Sequence, residues 1–333
     1  MSTASSTPSP GQPPSTAETS PARAPEPASG PLPVRTGSGA IARLLTVVYA
    51  LIVTPVAASL VVYGATPWQQ HLLMRLGALD ELLSYLFSPN GLPTLLALVG
   101  GLLLLASVVA TGLASSAGLL SVSLLTLFPL SQLVWPRLPV LLHERLPEFL
   151  YQAAFGLLSQ GVTLLLFPVM GGLGLALVIA RRHPRPSLAL SLAGVALVPL
   201  VMLAATLMAM NGFAVASISY ARTFGMEGTP PLATITAVIG VVLLWLACAA
   251  TGASPYAQIL PALVTLAATA VLFIPGLLLM LPSVFYGQIG GTWMSVLVLG
   301  GGAALGLVLL LHTAVQFAVS ARARRRVRAA SAL

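Results

Sequence analysis

Lysine is missing altogether: the 333 residues carry 15 basic side chains, and every one is an arginine. That absence excludes a phosphate-binding P-loop, a kinase strand lysine and a Schiff-base lysine. Cysteine occurs once, as Cys248 inside an apolar run, so neither a disulfide framework nor a thiolate metal cluster is available. Charge is scarce as well. Charged residues make up 7% of the chain, against about 25% in a soluble domain. Aspartate and glutamate together number seven. No Asp, Glu, Arg or Lys falls near the middle of any long apolar run, which removes the usual markers of ion-coupling sites and voltage sensors.

What is present is hydrophobic. Apolar residues make up 57% of the sequence and the mean hydropathy is +0.97, a composition that points to a bilayer rather than to water. Eight runs are long enough for membrane spans, at about 41–63, 92–111, 116–135, 150–180, 187–211, 231–251, 256–281 and 292–320. Ahead of them, residues 1–38 are rich in Ser, Thr, Pro, Ala and Gly without apolar periodicity, and are predicted to be a disordered cytoplasmic tail. The first run is too long and too far from the start for a cleaved signal, and is expected to act as a signal anchor. These segments leave no stretch for an extramembrane catalytic domain.

The net charge of +8 is placed beside the spans rather than in a nucleic-acid-binding patch, so no nucleic acid is expected as partner. With the N-terminus inside, eleven arginines fall on the cytoplasmic side. Four, Arg75, Arg137, Arg145 and Arg222, fall outside. The positive-inside rule then places both termini in the cytoplasm. Heavy use of Ala, Leu, Gly, Pro and Arg without Lys reads as GC-rich coding, hence a multi-pass protein of a bacterial cytoplasmic membrane. The closing run holds Arg322, Arg324, Arg325, Arg326 and Arg328 and is expected to bind anionic inner-leaflet lipid.

An internal repeat organises the rest. Residues 92–112 laid over 232–252 without gaps match at nine of 21 positions, ending in Thr111-Gly112 and Thr251-Gly252. The fold expected is all-α, about eight transmembrane helices as two parallel four-helix repeats. The divisions are a tail (1–38), a first repeat (39–180), a basic linker (181–186), a second repeat (187–320) and a basic tail (321–333). Pro55 and Pro199 stand near mid-helix in the first span of each half, freeing the carbonyls of Leu51 and Val195. Matched helix breaks in two halves point to a binding site on the seam between them, so these four residues are the candidate substrate contacts.

Thr111, Gly112 and Ser115, with Thr251, Gly252 and Ser254, read as short cytoplasmic hairpins or gates. Glycine there is predicted to supply a left-handed helix end and serine to cap the next helix. Gly171, Gly172 and Gly174, and the pair Gly302 and Gly306, read as close-packing positions. Residues 68–87 form an amphipathic pattern expected to lie in the outer interface. The second outer loop, 136–149, holds His143, Glu144 and Glu148. His143-Glu144 lacks the second histidine of a zinc-protease helix, so no metal site is expected. His312, above the closing arginines, reads as a hydrogen-bonded packing residue.

Three functions fit these residues, and none calls for a cofactor. The first is a permease or flippase for an uncharged or amphipathic, lipid-like molecule, with an outside partner if ATP is consumed. The second is a non-catalytic assembly or scaffold subunit of a larger membrane complex. The third is an outer-face lipid-modifying enzyme in which His143, Glu144 and Glu148 serve as bases.

Overall fold

The computed structural model describes residues 38–74, 84–85, 87–148, 161–182, 188–223, 226, 228–272 and 296–330. Several expectations lie outside those residues: the N-terminal tail, most of the outer amphipathic segment, the start of the fourth run, most of the basic linker and the end of the seventh run. Among the described residues there is helix and no strand. The helices are α1 (Ser38–Met74), α2 (Gly91–Thr111), α3 (Ala117–Leu125), α4 (Leu127–Val134), α5 (Leu138–Arg145), α6 (Val162–Arg182), α7 (Leu188–Thr223), α8 (Pro231–Ala250), α9 (Ile259–Leu272) and α10 (Gly302–Ala330). Among the described residues seven helical segments are long and apolar enough to cross a membrane, α3 and α4 together forming one of them. The eight runs of the sequence therefore exceed what the described helices supply. At the seventh position stands a shorter apolar helix, Pro255–Val271.

Helix α6 is the hub of the bundle: 83% of its most apolar window is buried, against 22% for α7. Its three glycines explain how neighbours come so close. A β-carbon added at Gly171 would strike Ser123 Oγ, one at Gly172 the Trp245 carbonyl, and one at Gly174 the Leu120 backbone nitrogen. The stripe thus seats α3 on one side and α8 on the other. Trp245 seals the junction by donating its indole N–H to Ser123 Oγ at 2.9 Å. The glycines expected to pack do so, as do Gly302 and Gly306, whose faces meet Thr269 and Leu266 of α9.

Two long hairpins, α1 with α2 and α7 with α8, pack through the same spacing. Gly64 rests on Thr94 and Leu98, and Gly101 on Ala57 and Val61. Gly212 rests on Ala233 and Ala237, and Gly240 on Ala205 and Ala209. Each helix contributes positions i, i+4 and i+7, one stripe of a helical face. The contact stripe is displaced by one residue from the sequence match, which paired Gly240 with Gly100. A β-carbon at Gly100 would meet nothing within 4 Å. The prolines are displaced too: Pro55 stands two residues before Ala57, but Pro199 stands six before Ala205, about one turn lower on its helix.

Cross-half contacts run through α6 with α8, α6 with α10 and α2 with α10, while a π-helical turn at Leu297–Gly301 packs on α1. Gly300 in that turn has φ +82°, a conformation that costs a residue with a side chain. The expectation for the short hairpins needs correcting on this point. Gly112 is right-handed (φ −56°, ψ −23°) and Gly252 lies in a 3-10 turn. Their role is proximity: a β-carbon would sit 2.7 Å from Leu177 Cδ1 at Gly112 and 2.7 Å from the Ala176 carbonyl at Gly252.

Candidate functional site

Helix α8 ends at Ala250 and gives way to two 3-10 turns, Thr251–Ala253 and Pro255–Gln258. Ser254 between them is extended (φ −148°, ψ 109°). The following Pro255 imposes this, because a proline ring disfavours helical backbone in the residue before it. The kink carries Gln258 into the bundle, where α10 presents His312, Thr313 and Gln316. All five polar residues at this point are buried: Thr251, Gln258 and His312 expose nothing, Gln316 1% and Thr313 5%.

They form a continuous hydrogen-bonded line. Gln316 Nε2 donates to the Thr251 carbonyl at 2.9 Å. Gln258 Nε2 donates to Gln316 Oε1 at 2.9 Å and to Thr251 Oγ1 at 2.6 Å. Gln258 Oε1 faces His312 Nδ1 at 2.9 Å, and His312 Nε2 faces the Leu173 carbonyl of α6 at 2.9 Å. Thr251 and Thr313 give their hydroxyl protons to the Cys248 and Leu309 carbonyls. In a chain this apolar such a cluster is costly unless every group is paired. It ties the break after α8 to α10, and both to the first half through α6.

The first short hairpin is anchored differently. Arg181, at the end of α6, donates to the Gly112 carbonyl at 2.5 Å and to Ser116 Oγ at 3.1 Å. A cation on an unpaired carbonyl at a helix C-terminus is favourable in charge and in hydrogen bonding. Ser115 Oγ accepts from the Ala117 N–H at 3.1 Å, one residue ahead of Ser116, which stands at the start of α3 and makes no side-chain cap of its own. Ser254 does not cap; its hydroxyl pairs with Ser191 at 3.0 Å. Thr111 bonds its own helix at the Val108 carbonyl.

The proline-marked helices border two apolar clefts. One, of about 510 Å³, is lined by Pro55, Leu124, Leu125, Leu127, Phe128, Ser131 and Phe167. The other, of about 400 Å³, lies between Ala193, Gly194, Leu197, Val198 and Val201 on α7 and Leu243, Leu246, Ala247, Ala250 and Ala253; Val195 and Pro199 belong to the same stretch of α7 but are not among its lining residues. Neither cleft is lined from both halves, so these two clefts do not place the prolines on one shared seam. Leu124, Leu127, Leu197 and Leu246 are exposed at the cleft mouths, on the surface a bilayer would cover. Leu51 is half-buried on α1. His143, Glu144 and Glu148 are exposed at and just beyond the end of α5. Among the described residues no three His, Cys, Asp or Glu side chains are grouped as a metal ion requires. Arg322, Arg324 and Arg325 are exposed on the last turns of α10, whose helix continues past Arg326 and Arg328.

Sequence reasoning missed Gln258 and Gln316, and it expected His312 to be hydrogen-bonded in packing without naming its partners. The signal was there: three polar residues at 312, 313 and 316 interrupt the otherwise apolar stretch 296–319. The chain matches no protein-family model, no curated protein and no solved structure. What is established is a helical protein with, among the described residues, seven helices able to cross a membrane.

Proposed function

We propose that this protein is a permease or flippase for an uncharged or amphipathic, lipid-like molecule in a bacterial cytoplasmic membrane. The observation that carries the reading is the pair of apolar clefts, one beside each proline-bearing long helix. Their volumes fall within the roughly 300–1,000 Å³ range of small-molecule sites, and their open sides are the apolar outer surface. An acyl chain entering from the bilayer meets leucine, phenylalanine and alanine, with Ser131 as a polar contact in the first cleft. Pro55 and Pro199, with the carbonyls of Leu51 and Val195, are the substrate contacts in this reading. The Thr111–Ser115 and Thr251–Ser254 turns are the inner gates. The shared i, i+4, i+7 packing of the two hairpins supports a parallel repeat, although the clefts themselves lie between different helices, the first among α1, α3, α4 and α6 and the second between α7 and α8. The closing arginines would hold anionic inner-leaflet lipid, at about 1 kcal/mol each.

The test is reconstitution into vesicles carrying fluorescent lipids and neutral solutes. The protein is expected to speed redistribution of at least one class, and Phe128→Trp with Leu197→Trp, which fill the clefts, should slow it. Unchanged distribution across the whole panel overturns the proposal. A stoichiometric partner on native purification, with no such activity, favours the scaffold reading instead. Loss of phenotype on changing His143, Glu144 and Glu148 together to Ala favours the outer-face enzyme.

A further inference from the structure

The buried line of hydrogen bonds has a proton count that neutral residues cannot meet. It runs from the Leu173 carbonyl through His312, Gln258 and Gln316 to the Thr251 carbonyl, in four contacts of 2.9 Å. Each contact requires one hydrogen. Both ends are backbone carbonyls, which only accept. Each amide stands in the line with its oxygen to one side and its nitrogen to the other, so each supplies one hydrogen. Turning either amide end for end moves the deficit along the line without removing it. A neutral imidazole adds one more donor and leaves an oxygen or a bare ring nitrogen facing another acceptor. An imidazolium adds two and closes every contact. The nearby hydroxyls do not fill the gap: Thr251 gives its proton to the Cys248 carbonyl, and Thr313, shorter to the Leu309 carbonyl at 2.8 Å than to Gln258 Oε1 at 3.4 Å, can add a donor to that oxygen but puts no hydrogen into any of the four contacts.

We infer that His312, Gln258 and Gln316 form a buried proton-binding site, which closes when His312 is protonated and opens one contact when it is not. The surrounding groups define the electrostatics. On α10 the charges are Arg322, Arg324, Arg325, Arg326 and Arg328, beyond the buried stretch, on α6 they are Arg181 and Arg182 at its far end, and α7, which packs on the 3-10 turns, carries Tyr220 and Arg222 at the end away from them. Helix α8 offers only Cys248, and the second 3-10 turn only Tyr256, which packs edge-on against Phe317 at 5.3 Å. Helices α2 and α9 carry no titratable side chain, and no Asp or Glu lies on any of these elements. Without a counter-anion, burial opposes a permanent charge, while the four completed hydrogen bonds favour it. The opposition makes occupancy reversible. Without the proton one contact sets two acceptors face to face: with the proton left on Nε2 it is that of Nδ1 with Gln258 Oε1, between α10 and the break after α8, and with it left on Nδ1 it is that of Nε2 with the Leu173 carbonyl, between α10 and α6. Proton occupancy is thereby linked to the spacing of the elements that meet at α10. This inference stands whether or not the protein transports anything.

The test is the imidazole nitrogen spectrum of ¹⁵N-histidine-labelled, full-length protein in lipid nanodiscs, followed from about pH 4 to pH 9. His312→Gln assigns the buried signal against His71, His143 and His183. The expected result is a doubly protonated His312 at the acid end and a single reversible transition. Gln316→Met is the discriminating variant. It frees Gln258 to turn and donate to His312 Nδ1, so a neutral ring is satisfied, and proton affinity should fall roughly tenfold or more. A single neutral tautomer throughout in the parent protein overturns the inference, as does a Gln316→Met protein that titrates like the parent. If Gln316→Met does not fold, the parent spectrum decides alone.

Discussion

At the residue scale, the glycines separate by what a methyl group would meet. Gly172 faces the carbonyl of Trp245, a backbone atom held inside α8, so no rotamer change makes room. Gly172→Val is expected to destabilise the protein by about 1–3 kcal/mol or more through overpacking. Gly100→Ala points into open space and should stabilise by roughly 0.5–1 kcal/mol, since alanine is the better helix former. Thermal unfolding of both variants in detergent checks the pair, and equal effects would refute the packing assignment. The glycine stripe of α6 was legible as a packing motif because small residues clustered in an apolar helix have few other uses. Which glycine of the pair Gly100 and Gly101 is the contact was not legible. That depends on how the helix is rotated about its axis, which a match of letters does not record.

At the scale of elements, the prolines are the clearest case. Both were readable as helix-interior prolines, and α1 and α7 run on through them. Their alignment as equivalent breaks was an inference from spacing, and the hairpin contacts place them about one turn apart. Pro55 also lines the larger cleft. Pro55→Ala restores one backbone donor and removes a ring that is worth up to about 3 kcal/mol against the helix. The variant should therefore unfold at a higher temperature than the parent while moving substrate more slowly. Unaltered transport alongside higher stability would reduce Pro55 to a packing kink. The break after α8 shows the same division between letters and packing. Ser254-Pro255 announces an interruption in the sequence, but the burial of Gln258 against α10 is a long-range event that no local pattern records.

For the molecule as a whole, the question that matters is which side of the membrane each end occupies. Among the described residues there are seven long apolar helices and one shorter one, while the arginine distribution calls for both ends inside. Single cysteines placed at Ser38 and Arg325 test this directly, because native Cys248 is fully buried and should not react. Both positions are expected to be blocked only by reagents that enter the cytoplasm; labelling of the two from opposite sides would refute the two-quartet topology. Hydrophobic runs, helix class, the scarcity of charge and the small-residue faces were all set by composition and order, because each depends on transfer to lipid or on neighbours within one helix. The central place of α6, the two separate clefts, the hold of Arg181 on Gly112 and the line through His312 were decided only by tertiary structure. These depend on which faces of distant helices meet, and the free energies that choose among such meetings come from close packing and from pairing the few buried polar groups.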